Sequence, residues 1–235
     1  MYPLGDLHVG HEEADYEAMK LTVKAIECDP NARVVLMGDL METDIPTHLP
    51  QAMWQQKITP EDQIEYLVEL LSPIAEKIVF AMSGNHENRL INKTSLDPTK
   101  IILRRLLLDP DKLYRKRGGL FDLTVGKKKW VVFATHGSGS SQRGRYQLEK
   151  AMRVFDADLY LIAHIHKIDY LRLERIGLRG RLVKYGVRTG GFLRYPDYAF
   201  ERLYTPCDIG TPIIHLDEKR IVIDEDSLRF NDGSG

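Results

Sequence analysis

Cysteine, net charge and long apolar runs are all scarce in this sequence of 235 residues. Two cysteines, Cys28 and Cys207, cannot build a disulfide framework, and the start of the chain lacks the basic and apolar segments of an export signal. These absences predict a reduced, cytoplasmic protein. No apolar run approaches the ~20 residues of a membrane span, so no membrane association is expected. Repeats and low-complexity linkers are also missing, and a single domain over residues 1–235 is expected.

The formal net charge of −1 hides an asymmetry along the chain. Residues 1–100 hold 17 acidic and 8 basic residues, whereas residues 101–235 hold 17 acidic and 25 basic residues. Either the two halves form opposite faces of one domain, or the second half contacts an anion. The hydrophobic share of 43% is ordinary for a globular protein and excludes a disordered or collagen-like chain.

Short apolar runs alternate with amphipathic stretches over the first 168 residues, and this alternation predicts an α/β fold. The apolar runs predict buried strands at 33–37, 77–82, 130–134 and 159–163. The stretches between them predict helices at 13–27, 61–76, 99–108 and 146–155. Thr59 is the predicted N-cap of the second helix, with Pro60 at its first position.

Strand-like runs dominate after residue 168, at 170–176, 182–187, 212–216 and 220–223. The first part of the chain is rich in βα units and the second part is rich in strands. This order fits two packed sheets with helices on the outside. Two segments, 43–57 and 186–206, fit neither element, and long loops of this kind in compact domains are often functional.

Side chains of metal-binding types follow five predicted strands, which are the four given above and a short one at Tyr2–Leu4. Open α/β sheets place their sites at the carboxyl ends of strands, so residues far apart in sequence can converge there. The residues are Asp6 and His8, Asp39, Asn85 and His86, His136, and finally His164 and His166.

The residue types favour a metal centre. Imidazole nitrogens with carboxylate and carbonyl oxygens, and no thiolate, favour divalent Mn, Fe, Co, Ni or Zn. The pairs Asp6/His8 and His164/His166 are spaced so that each pair shares one face of a straight strand. The set exceeds what one tetrahedral zinc needs. Two metals about 3.5–4 Å apart with a bridging carboxylate would use it fully and would suit phosphoryl transfer.

The series of motifs resembles the calcineurin-like metallophosphoesterase family, whose pattern is D-x-H, G-D, G-N-H-[DE], H and G-H-x-H, and it spans residues 5–166. In this sequence Ala163 replaces the usual glycine before the last motif. The turn at 189–192 is similar to that of small phage and prokaryotic phosphoesterases. The resemblance implies a four-layer α/β/β/α sandwich with two mixed sheets and a dinuclear metal site at the carboxyl ends of the strands.

The resemblance also implies a role for each motif residue. Asp6, His8 and His166 would hold the first metal, Asp39 would bridge, and Asn85, His136 and His164 would hold the second. His86 would bind no metal; it would contact the phosphate and protonate the leaving oxygen, which imidazole suits near neutral pH.

The expected function is hydrolysis of phosphodiester bonds by a metal-bound water or hydroxide, with two divalent transition-metal ions and manganese as the first choice. The basic second half favours a nucleotide or nucleic acid substrate, because Lys and Arg make most phosphate contacts. A phosphomonoesterase or protein phosphatase is the alternative, and a non-catalytic binding module on the same fold is another. The residues do not specify an oligomeric state.

Further residues near the motifs are candidates for supporting roles. Glu42 and Glu87 could orient histidines, with solvated carboxylates as the alternative. The candidate substrate contacts are Arg89, His11, Arg143 and Arg145, together with the more distant Arg188 and Arg194. For His11 the alternative is a surface position or a supporting role behind the ligands. For Arg143, Arg145, Arg188 and Arg194 the alternative is surface ion pairs.

Overall fold

The computed structural model describes residues 1–43, 56–138, 144–178, 180–194 and 206–230. The helices are α1 (Tyr16–Cys28), α2 (Pro60–Leu71), α3 (Asn85–Thr94), α4 (Pro98–Arg105), α5 (Pro110–Leu113) and α6 (Gly144–Val154), and a 3₁₀ segment spans Ser72–Lys77. The strands are β1 (Tyr2–Leu4), β2 (Val34–Leu36), β3 (Ile78–Ala81), β4 (Gly119–Val125), β5 (Lys128–Thr135), β6 (Leu159–Ile162), β7 (Asp169–Gly177), β8 (Gly180–Arg188), β9 (Ile209–Gly210), β10 (Ile213–Leu216), β11 (Ile221–Asp224) and β12 (Arg229–Phe230).

The first sheet is built on three parallel strands in the order β1-β2-β3. The antiparallel hairpin of β10 and β11 lies beside β1. Met1 and Ile214 exchange two backbone hydrogen bonds there, at 2.7 and 2.9 Å, which is the pattern of an antiparallel pair. This sheet is therefore mixed.

The second sheet has five strands in the order β4-β5-β6-β8-β7. Strands β5, β6 and β8 run parallel, and the edge strands β4 and β7 are antiparallel to their neighbours. Strands β9 and β12 form a small separate antiparallel pair.

Three apolar clusters separate the layers of the molecule. Because side chains alternate across a strand, Val34 and Leu36 of β2 face the cluster shared with α1, α2 and α4, while Val35 faces the second sheet. In the second sheet, Val132 faces this inter-sheet cluster and Phe133 packs with α6. The order of layers is helices, sheet, sheet and helix, so the predicted four-layer α/β/β/α sandwich is confirmed.

Most predicted elements begin and end within three residues of the observed bounds. The helix predicted at 61–76 is wrong over its last residues, because α2 ends at Leu71 and a 3₁₀ segment follows. Pro73 has no N–H to continue the α-helical hydrogen bonds, which explains the change. Thr59 caps α2 as predicted, and its hydroxyl accepts a hydrogen bond from the N–H of Asp62.

Helices α3 and α5 were not predicted from the sequence. The long segments predicted at 43–57 and 186–206 lie largely outside the described residues, and the second begins inside β8. Among the described helices, none combines the length and the apolar character that crossing a bilayer requires.

Candidate metal centre

Five strands of the two sheets end at one edge of the molecule, and each is followed by a motif residue. Asp6 follows β1, Asp39 follows β2, Asn85 follows β3, His136 follows β5 and His164 follows β6. Ligand atoms of Asp6, His8 and His166 lie within 4.8 Å of one another, and so do those of Asp39, His136 and His164. The structure thus brings the predicted ligands into two adjoining groups.

In the first group, three side chains direct polar atoms at a common point. His8 Nε2 lies 3.3 Å from His166 Nε2, and His166 Nε2 lies 3.3 Å from Asp6 Oδ1. All three residues are buried, with Asp6 completely inaccessible to solvent.

The second group is arranged around one imidazole nitrogen. His136 Nε2 lies 3.0 Å from Asp39 Oδ2 and 3.1 Å from Asn85 Oδ1. The imidazole ring of His164 lies 5.2 Å from that of His136, between centroids. The backbone N–H of His164 donates to Asp6 Oδ2 at 2.9 Å, which connects the two groups.

The second ring nitrogen of three histidines is held by a neighbouring group. His8 Nδ1 donates to Glu42 Oε2 at 2.9 Å, and His136 Nδ1 donates to the carbonyl of Met37 at 2.9 Å. His166 Nδ1 lies 3.5 Å from the Sγ of Cys207. Each contact leaves Nε2 directed into the group, as a metal-binding histidine requires.

The backbone at this edge is held in an uncommon conformation. Five predicted ligands have positive φ angles: Asp6 at 50°, His8 at 49°, Asp39 at 48°, His164 at 74° and His166 at 52°. Residues other than glycine adopt this region infrequently, with Asn, Asp and His the commonest exceptions, and such strain concentrates at functional sites. Five positive φ angles within two ligand groups indicate that the backbone here is strained in order to position these side chains.

Two observations test whether the residues fit a divalent cation. Asp6 Oδ1 is buried and accepts no well-formed hydrogen bond from the described residues, although His166 Nε2 lies 3.3 Å away, so a strong acceptor faces the ring nitrogens of the first group. Burial lowers the pKa of His136, but the carboxylate of Asp39 outweighs burial and raises it to about 10. The same oxygens that attract this proton would bind a cation in its place. The nitrogen and oxygen donors therefore fit borderline divalent metals.

His86 lies next to both groups. Its backbone N–H donates to Asp39 Oδ1 at 2.8 Å, and its Nδ1 lies 2.8 Å from the carbonyl oxygen of Glu42. Burial lowers the pKa of His86, but Asp39 and Glu42 together raise it to about 9, so the ring is protonated at neutral pH. His8, Glu42 and His86 also form a third group of possible metal-ligating atoms, which lie within 4.8 Å of one another.

Glu42 and Glu87 were both candidates for orienting histidines, but only Glu42 forms a hydrogen bond with one among the described residues. Glu42 contacts His8, and its Oε1 also lies 3.3 Å from His86 Nδ1. Glu87 forms no hydrogen bond or ion pair with a histidine of the described residues. Its carboxylate accepts backbone hydrogen bonds from Gly84 and from the loop residues Asp39, Leu40 and Met41, at 2.6–3.1 Å. Glu87 therefore fixes the backbone of the loop that carries Asp39.

The predicted substrate contacts are dispersed. The two terminal guanidinium nitrogens of Arg89 each lie 3.2 Å from a ring nitrogen of His86. His11 is buried, and its Nδ1 accepts a hydrogen bond from the N–H of Glu13, which argues against the predicted surface position. Arg145 is exposed in the first turn of α6, and Arg143 lies outside the described residues.

The two more distant arginines form ion pairs. Arg188 pairs with Asp169, and Arg194 Nε lies 3.0 Å from Asp15 Oδ2. The guanidinium groups of Arg188 and Arg194 already have carboxylate partners. The structure therefore favours the alternative of ion pairing over the prediction that these arginines surround the metal site.

Two residues next to the first ligand group were not predicted from the sequence. They are Cys207, which contacts His166, and Gly191, whose backbone lies against Asp6 and His166. A side chain at Gly191 would place its Cβ 2.9 Å from His166 Cγ and 3.1 Å from Asp6 Cβ. The Gly190-Gly191 pair after a strand was the available signal, since paired glycines mark a close backbone approach. Cys207 carried no signal, because its contact with His166 depends on the path of the chain.

A two-sheet sandwich with clustered histidine and carboxylate ligands at its strand ends defines a metal-dependent hydrolase of phosphoester bonds. The sequence model described as calcineurin-like phosphoesterase matches residues 4–168, and this chain belongs to that family.

Solved structures include similar folds. A single mutant of Vps29 from Entamoeba histolytica is 14% identical, covers 94% of this chain and 88% of its own, and superposes with a TM-score of 0.52. A metallophosphoesterase from Sphaerobacter thermophilus is 15% identical, covers 98% of this chain and 87% of its own, and gives a TM-score of 0.43. The first of these supports the fold alone. No curated protein sequence matches the chain significantly.

Proposed function

We propose that this protein is a dinuclear phosphodiesterase that uses two divalent transition-metal ions, with manganese as the first candidate. The observation that carries the proposal is the pair of adjoining ligand groups, with the partly buried His86 beside both. The whole chain is proposed to act as one domain, because Cys207 of the later segment contacts the ligand candidate His166.

Each ligand group would hold one metal. In the proposed arrangement Asp6, His8 and His166 hold the first ion, and Asn85, His136 and His164 hold the second. Asp39 would contribute to both ions, and its Oδ2 lies 3.0 Å from His136 Nε2 of the second group. Bound cations at these positions supply activation of a water molecule and neutralisation of charge on the phosphate.

The residues of the chain orient and protonate the reacting groups. Glu42 holds His8 in the tautomer that exposes Nε2, and Met37 does the same for His136. Asp39 and Glu42 raise the pKa of His86 in the metal-free protein, and the ring would deliver a proton to the leaving oxygen of the ester. Arg89, beside the ring of His86, binds a phosphate oxygen as that proton is transferred.

A diester is favoured over a monoester because exposed cations near the site would contact phosphates on either side of the scissile bond. Arg145 is one such group. A nucleotide or a nucleic acid is the corresponding substrate. A phosphomonoesterase, including a protein phosphatase, would instead bind a dianionic terminal phosphate.

The test is hydrolysis of bis-p-nitrophenyl phosphate compared with p-nitrophenyl phosphate, with Mn²⁺ added to metal-depleted protein. We expect a larger kcat/KM for the diester. A preference for the monoester would support the phosphomonoesterase. Stoichiometric metal binding without hydrolysis of either ester would support a non-catalytic binding module, and Asp39→Asn serves as the inactive control.

A further inference from the structure

The loop that carries His136 is flanked on both sides by other segments of the chain. On one side, the hydroxyl of Thr135 donates to the backbone carbonyl of Arg117 at 3.5 Å. On the other side, the N–H of Ser138 donates to Oε1 of Gln147 in α6 at 3.0 Å. The turn around Arg117 and the first turn of α6 therefore lie at the same edge of the molecule as the ligand groups.

The turn around Arg117 is fixed in position by its backbone. The N–H of Arg115 donates to the carbonyl of Ala81 at the end of β3, at 3.0 Å, and the N–H of Gly118 closes the turn onto the carbonyl of Arg115 at 2.8 Å. Gly118 has a φ of +83° and lies against the backbone of β5, where a Cβ would be 2.1 Å from the carbonyl oxygen of Ala134. This anchoring presents Lys116 and Arg117 beside the carboxyl ends of β3 and β5.

Both cationic side chains of this turn are available to a ligand. Lys116 and Arg117 are exposed, and neither forms an ion pair or a side-chain hydrogen bond with any described residue. In contrast, Arg188 and Arg194 are committed to carboxylates of their own chain. Two adjacent cations without counterions beside a metal centre would attract an anion that extends beyond the scissile phosphate.

The first turn of α6 adds an aromatic ring and a third cation. Tyr146 is 63% exposed, and the neighbouring Arg145 is exposed and forms no ion pair within the described part of the chain. A large aromatic side chain left in solvent next to a cation is the combination that binds single-stranded nucleic acid, because bases stack on the ring while the cation contacts phosphate.

We propose that Lys116, Arg117, Arg145 and Tyr146 form a binding site for single-stranded nucleic acid that crosses the loop of His136. This strand-binding rim rests on the proposed function, since it names the polymer whose backbone enters the metal centre. Lys116 and Arg117 bind phosphates on one side of the scissile bond. Arg145 and Tyr146 bind a phosphate and a base on the other side.

The experiment measures binding of a fluorescein-labelled twelve-residue oligothymidylate by anisotropy, in an otherwise full-length His86→Ala protein loaded with Mn²⁺. The expected result is binding that weakens steeply with salt. Combining Lys116→Ala with Arg117→Ala should raise Kd at least tenfold at low salt and reduce the slope of log Kd against log salt by about 1.4, at ~0.7 per phosphate contact. Tyr146→Ala should raise Kd about 5- to 100-fold, and Tyr146→Phe should retain binding because the stacking ring remains.

The matched control removes two positive charges at the other end of β5. Lys127→Ala with Lys129→Ala changes the net charge equally, roughly 20 Å from the rim at ~3.3 Å per strand residue, and should leave Kd within about twofold. Equal effects of the two double variants would overturn the proposal, as would an unchanged Kd in Tyr146→Ala or tighter binding of a duplex.

A second measurement separates this inference from the proposed function. Wild-type protein with Mn²⁺ is assayed on bis-p-nitrophenyl phosphate in parallel. Hydrolysis without oligonucleotide binding would overturn the strand-binding rim and leave a small-molecule phosphoesterase. Oligonucleotide binding with the expected variant effects, but without hydrolysis of the diester, would support the rim and contradict the proposed catalysis.

Discussion

His8 and Glu42 are joined by a buried hydrogen bond of 2.9 Å from Nδ1 to Oε2, although 34 residues separate them in sequence. Burial is the main reason that the pKa of His8 falls to about 4, and it outweighs the opposing effect of Glu42. His8 is therefore neutral, with its proton on Nδ1 and its lone pair on Nε2. This arrangement prepares the ring to bind a metal.

The first prediction concerns this pair. Glu42→Ala removes the acceptor for Nδ1, and metal affinity at the first site should fall about 10- to 100-fold, as is typical when such a partner is lost. Glu42→Gln retains a carbonyl acceptor and should have a smaller effect, so it is the matched control. Metal content after dialysis against buffered Mn²⁺, measured by plasma mass spectrometry, gives the result. Equal metal content in wild type and Glu42→Ala would contradict the role.

The second prediction concerns the bridging position. Asp39 lies between His86 and His136, and a bridging carboxylate would contribute to both ions at once. Asp39→Asn should therefore weaken both metals together. Titration with Mn²⁺ should show two sites of reduced affinity, and loss of one metal with an unchanged second site would argue against the bridge.

The third prediction separates proton transfer from metal binding. His86→Ala and His86→Gln should retain both metals and the fold, while turnover falls about 10²–10⁴-fold, the usual contribution of an acid–base group. Circular dichroism and metal content are measured on the same samples as kcat. If metal loss parallels the loss of activity, His86 is a ligand in the group that it forms with His8 and Glu42.

The layered fold could be predicted from the sequence because each strand carries its own pattern. The continuous apolar run of β5 predicts a strand that is buried on both faces, and the structure has Val132 toward the other sheet and Phe133 toward α6. The end of α2 was predicted too late, because the helical period of apolar residues continues past Pro73 while the backbone hydrogen bonds do not.

The grouping of the candidate ligands could also be predicted, since each one lies within four residues of the end of a strand. The residues that hold the ligands and their loops in position were harder to predict. The carboxylate of Glu87 holds three consecutive N–H groups of residues 39–41, and nothing local to Glu87 indicates a contact 46–48 residues away. The ion pairs of Arg188 and Arg194 depend likewise on the register of β7 with β8 and on the path of the chain past α1.

The fourth prediction concerns proton release on metal binding. Burial lowers the pKa of both His136 and His166, but Asp39 and Asp6 respectively outweigh it, so both pKa values lie above neutral. Both rings carry an extra proton at pH 7.5 in metal-free protein, and metal ligation displaces it. Binding should release about two protons and weaken as the pH falls. Calorimetry in buffers of different ionisation enthalpy measures this number, and a release near zero would contradict the assignment of both histidines as ligands.

The last prediction tests the close approach of Gly191 to the first ligand group. Its N–H donates to the carbonyl of Asp208 at 3.1 Å, and its carbonyl accepts the N–H of Gly210 at 2.8 Å, so its backbone is held from both sides. A methyl group at this position would lie 2.9 Å from His166 Cγ and 3.1 Å from Asp6 Cβ. Because the backbone is held, the two side chains must move instead.

The affinity of Gly191→Ala for the first metal should therefore fall at least tenfold. Its affinity for the second metal, which His136 and its neighbours would hold, should not change. The matched control is Gly190→Ala, whose methyl would be 2.4 Å from the carbonyl oxygen of Gly210 and would strain the backbone without meeting a ligand. This control should lower the melting temperature yet retain two metals. Since both variants strain the same turn, a difference in metal content between them isolates ligand displacement from general destabilisation. Two metals bound with wild-type affinity in Gly191→Ala would show that Asp6 and His166 do not need this exact packing to hold an ion.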